Sequence, residues 1–318
     1  LSASQSALLA ESSVHTQRAV QLQEIQSQYV QAKKSSLASA WEAYKETHAT
    51  ALRERKLLLY IPYQSGQGNR LLGIVTAFML ALISHRALLI DYCKCIHTLD
   101  TCKCQWGDLF NQQDIELDAV SLMEKDSGLK ITIRDESLTQ VDFVYDALDL
   151  NLADLADRPV VWGNGSMDWT AHLWLANPHH RETLRALFRP GYVFHDVAQL
   201  LMRPSKALRD VRDHWVETRF RPLTIGVHVR MMSLGRLVQK TDPQEYLPHF
   251  MHLASSIALL TQPEELVYTN QTAWEGLDRE TREGLRTAVL EMLLLGASDE
   301  IIGTRASTFS HVAAAFGG

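Results

Sequence analysis

The stretch KLLLYIPYQSGQGNRLLGIVTAFMLALISHRALLID, residues 56–91, decides the fold. Leu57–Ile61 is an apolar run of strand length, and Ser65–Asn69 is a turn holding Gly66 and Gly68. Arg70–Ile83 is apolar for most of its length, with Leu71, Leu72, Val75, Phe78, Met79 and Leu82 at the spacing of a buried helix. Ala87–Ile90 is a second short apolar run, closed by Asp91. Strand, glycine turn, helix and strand make a βαβ unit, which implies a parallel sheet. Ligands of such folds bind at turns that follow the carboxyl ends of strands. A glycine there lets the backbone come close to a ligand, because no Cβ intervenes.

Upstream, residues 1–55 are rich in Ser, Ala, Gln and Glu and contain neither Gly nor Pro. Leu8, Leu22, Ile25, Tyr29, Leu37, Trp41 and Tyr44 fall at near-helical intervals, which predicts one or two amphipathic helices forming a stem or an arm on the domain. The heptads are not sustained as a dedicated coiled coil requires. A homodimer through these helices is the oligomeric expectation.

Downstream, Cys93, Cys95, Cys102 and Cys104 form a C-x-C…C-x-C pattern open to three readings: two disulfides, a zinc site or free thiols. The acidic run Asp114–Asp118 reads as a metal site or as a solvated face. Pro159–Trp162 is a short strand, followed by a Gly/Asn turn and Asp168. A carboxylate just past a strand end sits where active sites of α/β proteins collect; Asp168 also suits an N-cap for a helix over Trp169–Leu175. His179–Leu187 is helical, and a long amphipathic stretch runs from Val193 to Phe220, interrupted at Pro204. Leu223–Val229 begins a second sheet and runs into Arg230. Helices at Pro243–Leu260 and Thr281–Leu295 alternate with strands at Glu265–Thr269 and Glu300–Gly303, and Ser307-Thr308 opens a last helix. The expected domains are a helical arm at 1–55, an α/β domain at 56–205 and a second α/β domain at 206–318.

Composition limits what these domains can do. With 318 residues, 46% of them hydrophobic and 21% charged, the chain is a packed globular protein of two-domain size. Its net charge of −6 argues against a nucleic-acid partner. No stretch reaches the roughly 18 apolar residues that span a bilayer. The chain begins at Leu1 rather than Met and reads as a fragment at both ends, so an anchor or signal could have been cut away and its absence says little about location. Asn164-Gly165-Ser166 and Asn270-Gln271-Thr272 match the N-glycosylation triplet and fit a secretory location.

Two α/β domains facing across a cleft suit a bisubstrate site. Three features aim at an anion there: Arg230 past a strand end, the helix start at Ser307-Thr308, and the backbone donors of Gly66–Asn69. An interdomain salt bridge for Arg230 and plain N-capping for Ser307 are the competing readings. GQGNR is not G-x-G-x-x-G, and the sequence contains no Walker A motif, no Asp-x-Asp pair and no G-x-S-x-G elbow. These gaps disfavour a nicotinamide dehydrogenase and an acyl hydrolase.

The same segments resemble those of plant-type xyloglucan and galactoside α1,2-fucosyltransferases. SGQGNRLLGIVTAFMLALISHRALLID is similar to their S-G-L-G-N-R motif, apolar helix and R-x-L-L-x-D strand. TIGVHVR resembles the nucleotide-sugar motif of the wider fucosyltransferase superfamily. EMLLLGASDEIIGTRASTFSHVAAAFGG resembles the last motif of the family, and VFHDVAQLLMRPS its F-H-H-L-x-R-Y-L-x-x-P segment. The resemblance runs in order from about residue 56 to 318. It implies a GT-B fold with two Rossmann-like domains, an acceptor-binding first domain and a GDP-fucose-binding second one. It also implies an inverting, metal-independent transfer to an oligosaccharide or polysaccharide, and residence in the Golgi lumen as a type II membrane protein. On matching positions, Arg230 would bind the β-phosphate, His228 would lie at the nucleotide and Glu291 would contact guanine. Ser307, Thr308 and Phe309 would close over the diphosphate, while Gly66, Gly68, Asn69 and Arg70 line the cleft. Asp168 is the candidate general base. Ser310-His311 stands where the family has Gly-Tyr, and Met231 replaces the second arginine of the α1,6 relatives. Another GDP-sugar, protein O-fucosylation, or an inactive nucleotide- or glycan-binding relative are the alternatives.

Overall fold

The computed structural model describes residues 3–62, 66–92, 104–111, 114–125, 139–165, 170–189, 191–228, 281–303 and 307–317, with side chains described from Val20 onward and not at 164 and 165. Cys93, Cys95 and Cys102, and the helix and strand expected within 229–280, lie outside these residues.

The opening stretch folds as its pattern demands, except that the helix begins at Gln67, inside the expected turn, so that Gly68 and Asn69 lie in its first turn. Strand β1 is Leu57–Pro62, helix α2 is Gln67–Ile83 and strand β2 is Ala87–Ile90. The two strands pair in parallel, Leu57 opposite Ala87 and Tyr60 opposite Ile90. β1 is flanked on its other edge by β4, Val160–Gly165, and β4 in turn by β3, Thr139–Asp142. The sheet is wholly parallel, in the order β2-β1-β4-β3. β1 is central and buried on both faces, so it reads as an unbroken apolar run rather than an alternating one. Leu58 and Tyr60 face the main core under α2, whereas Leu57, Leu59 and Ile61 face a second cluster with Ala51 of α1 and Ala119 of α4. α4 spans Ala119–Lys125.

The amino-terminal arm is one helix, α1, running over Ala3–Glu54. Leu37, Trp41, Tyr44, His48 and Ala51 are buried along one stripe, and the rings of Trp41 and Tyr44 meet Phe78 of α2 edge-on. The Tyr44 hydroxyl donates to the Arg86 carbonyl and accepts the Leu88 N–H, 3.0 Å each, tying α1 to β2. Lys33 Nζ donates to the carbonyls of Arg185 and Ala186, a cation on the negative end of helix α6, Arg181–Leu187. Docking stops there: Val20, Leu22, Ile25 and Tyr29 are exposed, so these four positions do not lie on the domain.

Helix α3 is the single turn Trp106–Leu109, and α5 is Ala171–Trp174. Helices α7, Val193–Leu201, and α8, Lys206–Arg219, divide the long amphipathic stretch at Pro204. Beyond them, β5, Ile225–His228, pairs in parallel with β6, Glu300–Gly303. Helix α9 is Arg282–Gly296, and helix α10 is Thr308–Gly317. α10 packs on α9 and also reaches back to α2 and α7 of the first half of the chain. His195 Nδ1 bonds the Ala315 carbonyl at 2.8 Å, and Phe194 meets Phe316 edge-on. This return brings the start of α10 against the start of α2.

Candidate functional site

Two helix starts, 239 residues apart in sequence, form the centre of the site. Gly66 is the N-cap of α2, in extended conformation and without a side-chain cap. Its carbonyl accepts the N–H groups of Asn69 and Arg70, which closes the first turn. Across from it, the Thr308 hydroxyl donates to Asn69 Oδ1 at 2.5 Å. A Cβ built on Gly68 would lie 2.9 Å from the Thr308 carbonyl carbon and 3.0 Å from the Phe309 nitrogen. Only glycine lets these two backbones approach so closely. Neither α2 nor α10 carries an acidic residue in its first turn. The partial positive charge at each start, about half an elementary charge, is therefore not offset by a carboxylate of its own first turn. Such a pair of ends attracts an anion.

The second sheet adds to this centre from β5. The His228 ring stacks on Phe309 with centroids 4.7 Å apart and planes 17° off parallel. Its Nδ1 lies 2.8 Å from Ser310 Oγ. Ser307 is buried, and its carbonyl accepts the His311 N–H at 3.4 Å, opening α10. Arg70 is buried in α2, and its carbonyl accepts the Tyr60 hydroxyl at 3.1 Å. Tyr60 stacks in turn on Phe143 beyond β3. Glu291 lies half-buried on α9, the helix packed against α10.

The structure thus joins Gly68, Asn69, Thr308 and Phe309 in one contact and His228 to Phe309 and Ser310 in another. Gly66 stands one residue before the first turn with no atom within 4 Å of a built Cβ. Asp168 and Arg230 lie outside the described residues. The N-cap position of α5 is Thr170, so Asp168 precedes that cap by two residues. The described chain leaves β4 at Gly165, in register with Pro62 at the end of β1, and leaves β5 at His228.

Two residues of this centre stood outside the sequence-derived site. Ser310 carries a signal, since it is a polar replacement in an otherwise recognisable motif. Gln67 carries none from pattern alone: it opens α2, is nine-tenths buried, and among the described residues has no hydrogen-bond partner for either amide atom.

Within the acidic run Asp114 is exposed, whereas Asp118 has a structural part. Asp118 is buried and accepts the N–H groups of Trp106, Val120 and Ser121, at 2.8, 3.0 and 3.0 Å. Burial raises its pKa from the ordinary carboxylate value, and these three donors oppose the rise. It staples α3 to α4. Among the described residues no group of three or more His, Cys, Asp or Glu side chains is placed to hold a metal ion. No described helix is long and apolar enough to cross a membrane.

The fold is of GT-B type, with Rossmann-like α/β halves and a helical arm. The chain is similar to Arabidopsis thaliana "Probable fucosyltransferase 9", with 23% identity over 293 residues, which is 83% of this chain and 60% of the relative. It therefore spans less than two thirds of that relative's length. Among solved structures it is similar to a mutant of Arabidopsis thaliana FUT1 in complex with GDP: TM-score 0.60 and 19% identity, covering 89% of this chain and 77% of that one. A fucosyltransferase NodZ from Bradyrhizobium matches at TM-score 0.45 and 16% identity, covering 81% of this chain and 93% of that one. No family model matches the chain.

Proposed function

We propose that this protein is a glycosyltransferase that moves fucose from GDP-fucose to a hydroxyl of a glycan acceptor, with inversion and without a metal. The observation that carries the reading is the contact of two helix starts lacking carboxylates, Gly68 and Asn69 against Thr308, with His228 held beside it. The similarity to Arabidopsis thaliana fucosyltransferase 9 and the fold shared with GDP-bound FUT1 support it.

In this mechanism the acceptor hydroxyl oxygen attacks the anomeric carbon of fucose. A new C–O bond forms as the bond to the β-phosphate oxygen breaks, and GDP leaves with the electron pair. The developing charge on the β-phosphate is stabilised by Arg230 and by the start of α10. The hydroxyl proton passes to the Asp168 carboxylate. Glu291 contacts guanine, and Gly66–Arg70 forms the acceptor-side wall against the sugar. The acceptor is a galactoside or similar oligosaccharide or polysaccharide, and the setting is the Golgi lumen. A homodimer would use the exposed apolar positions of α1, Leu22, Ile25 and Tyr29.

Two measurements test the reading. GDP should raise the thermal midpoint of the protein, and labelled GDP-fucose with a panel of glycans should give label transfer to at least one acceptor. Arg230→Ala should abolish transfer, and unchanged turnover would remove Arg230 from the mechanism. Absence of any stabilisation by GDP would sink the donor assignment.

A further inference from the structure

We infer that Gln67 is a sugar-reading residue: its carboxamide holds the ring hydroxyls of the hexose carried by the nucleotide donor. The inference rests on the nucleotide-sugar reading above and names the group that sees the sugar rather than the nucleotide.

Gln67 is the first residue of α2, between N-cap Gly66 and the Gly68–Thr308 contact. It is 9% exposed, and among the described residues neither Nε2 nor Oε1 has a hydrogen-bond partner. A buried amide without partners is unusual, because its desolvation is not recovered. Its neighbours in the helix start do not share this state. Asn69 accepts the Thr308 hydroxyl, and the Arg70 carbonyl accepts Tyr60. The unsatisfied pair therefore sits alone, beside the junction of the two halves, at a helix start that favours anions.

A carboxamide offers one acceptor and two donors at fixed geometry. A phosphate presents acceptors only and would leave Oε1 unmet. Vicinal hydroxyls of a neutral sugar present a donor and an acceptor side by side and satisfy both ends. The diphosphate falls to the helix starts, and the hexose next to it falls to Gln67.

The test compares GDP with GDP-fucose on the full chain and on Gln67→Leu, which keeps the size and removes the amide. Gln67→Met serves as a second apolar variant should Leu fail to fold. Calorimetric titration should show GDP-fucose affinity falling about tenfold or more while GDP affinity changes less than twofold. The ligand-free variant should melt higher by about 2–4 °C, since an unpaired buried amide has been removed. Equal affinity losses for GDP and GDP-fucose, or none for either, would overturn the inference. So would a rise in the acceptor KM with donor affinity unchanged, which would move Gln67 to the acceptor. If the unsubstituted protein binds neither GDP nor GDP-fucose, the nucleotide-sugar reading itself fails and this inference falls with it.

Discussion

Replacing Gly68 by alanine puts the contact between the two helix starts to a direct test. The added Cβ would lie 2.9 Å from the Thr308 carbonyl carbon, where an ordinary contact begins at 3.4 Å. Two of the three nearest atoms, the Thr308 carbonyl carbon and the Phe309 nitrogen, are backbone at the opening of α10 and cannot swing aside as a long side chain would; the third is the Thr308 hydroxyl oxygen, also at 2.9 Å. One of the two starts must retreat by about half an ångström. Overpacking of this kind costs about 1–3 kcal/mol. Alanine returns up to about 1 kcal/mol through its better helix propensity. The net loss should be about 1 kcal/mol, which lowers the melting temperature by about 2–4 °C. Catalysis is more sensitive than stability: misplacing reacting groups by about 1 Å can cost about a hundredfold in rate. Turnover of labelled GDP-fucose should therefore fall about tenfold or more. The stability control is Gly66→Ala, where no atom lies within 4 Å and φ is −62°, so a side chain fits without strain. Only the N-cap preference is lost there, which costs less than about 1 kcal/mol. Differential scanning fluorimetry and a single-acceptor transfer assay give both numbers. A Gly68→Ala protein as stable and as active as the unsubstituted one would refute the argument, because the two starts would then not need to touch.

Other perturbations follow from single contacts. Ser310→Ala removes the bond at His228 Nδ1 and, at about 0.5–1.5 kcal/mol for a hydrogen bond, should weaken GDP binding about two- to tenfold by calorimetry; an unchanged Kd would separate His228 from the nucleotide. Arg86 is buried and donates to the carbonyls of Leu155, Arg158 and Pro159. Lysine has no guanidinium fork to serve several carbonyls, so Arg86→Lys should lower the urea midpoint nearly as much as Arg86→Ala, and full rescue by lysine would contradict this. Arg189 and Asp196 form a buried ion pair. Asp196→Ala strands the guanidinium and should cost about 3–5 kcal/mol in urea unfolding, whereas a loss below about 1 kcal/mol would mean the charge finds water. Burial lowers the pKa of both His48 and His180, and for His180 neighbouring His179 adds to the effect. His180 Nε2 also accepts the Leu152 N–H at 3.0 Å, which needs that nitrogen unprotonated. The unfolded chain thus binds protons first as pH falls below about 6.5, so this stability is full above that pH and drains away beneath it. Urea midpoints at about pH 7.5 and about pH 5 should differ in that direction, and a flat profile would exclude both histidines.

The first βαβ unit was legible because burial on every side leaves no ambiguity of face. The strands at 57–61 and 87–90 appear within a residue of their expected limits, whereas the helix between them starts at Gln67, three residues before the expected Arg70, because Gly68 and Asn69 form its first turn rather than a loop. The strand expected at Pro159–Trp162 is β4, and the expectations over 281–310 match α9, β6 and the start of α10. β3 escaped notice: TQVD alternates weakly, and only Val141 is buried, as befits a strand at the sheet edge. The arm misled for a related reason. Helical spacing of apolar residues says which side of α1 could be buried, but not whether anything lies opposite. Leu37, Trp41 and Tyr44 find Phe78 and the sheet, while Leu22 and Ile25 find solvent. Of the candidate site, Gly68 and Asn69 were readable as a glycine turn and Thr308 as a separate helix start. Their meeting depends on the return of α10 to α2 and α7, a packing choice that no local pattern encodes. Gln67 lay hidden because its distinction is an absence of partners, which exists only in three dimensions.

That return has a consequence for the order in which the molecule can assemble. The bond between Asn69 and Thr308 closes a loop of 239 residues, and the one between His195 and Ala315 a loop of 120. Contacts so distant along the chain are slow to form, because loop entropy must be spent before they return anything. The parallel sheet and its covering helices can be in place while α10 is still unplaced. During refolding, burial of Trp106 and Trp174 should therefore precede the first capacity to bind GDP. A lag between those two signals would mark the interval in which the protein has a fold but no site.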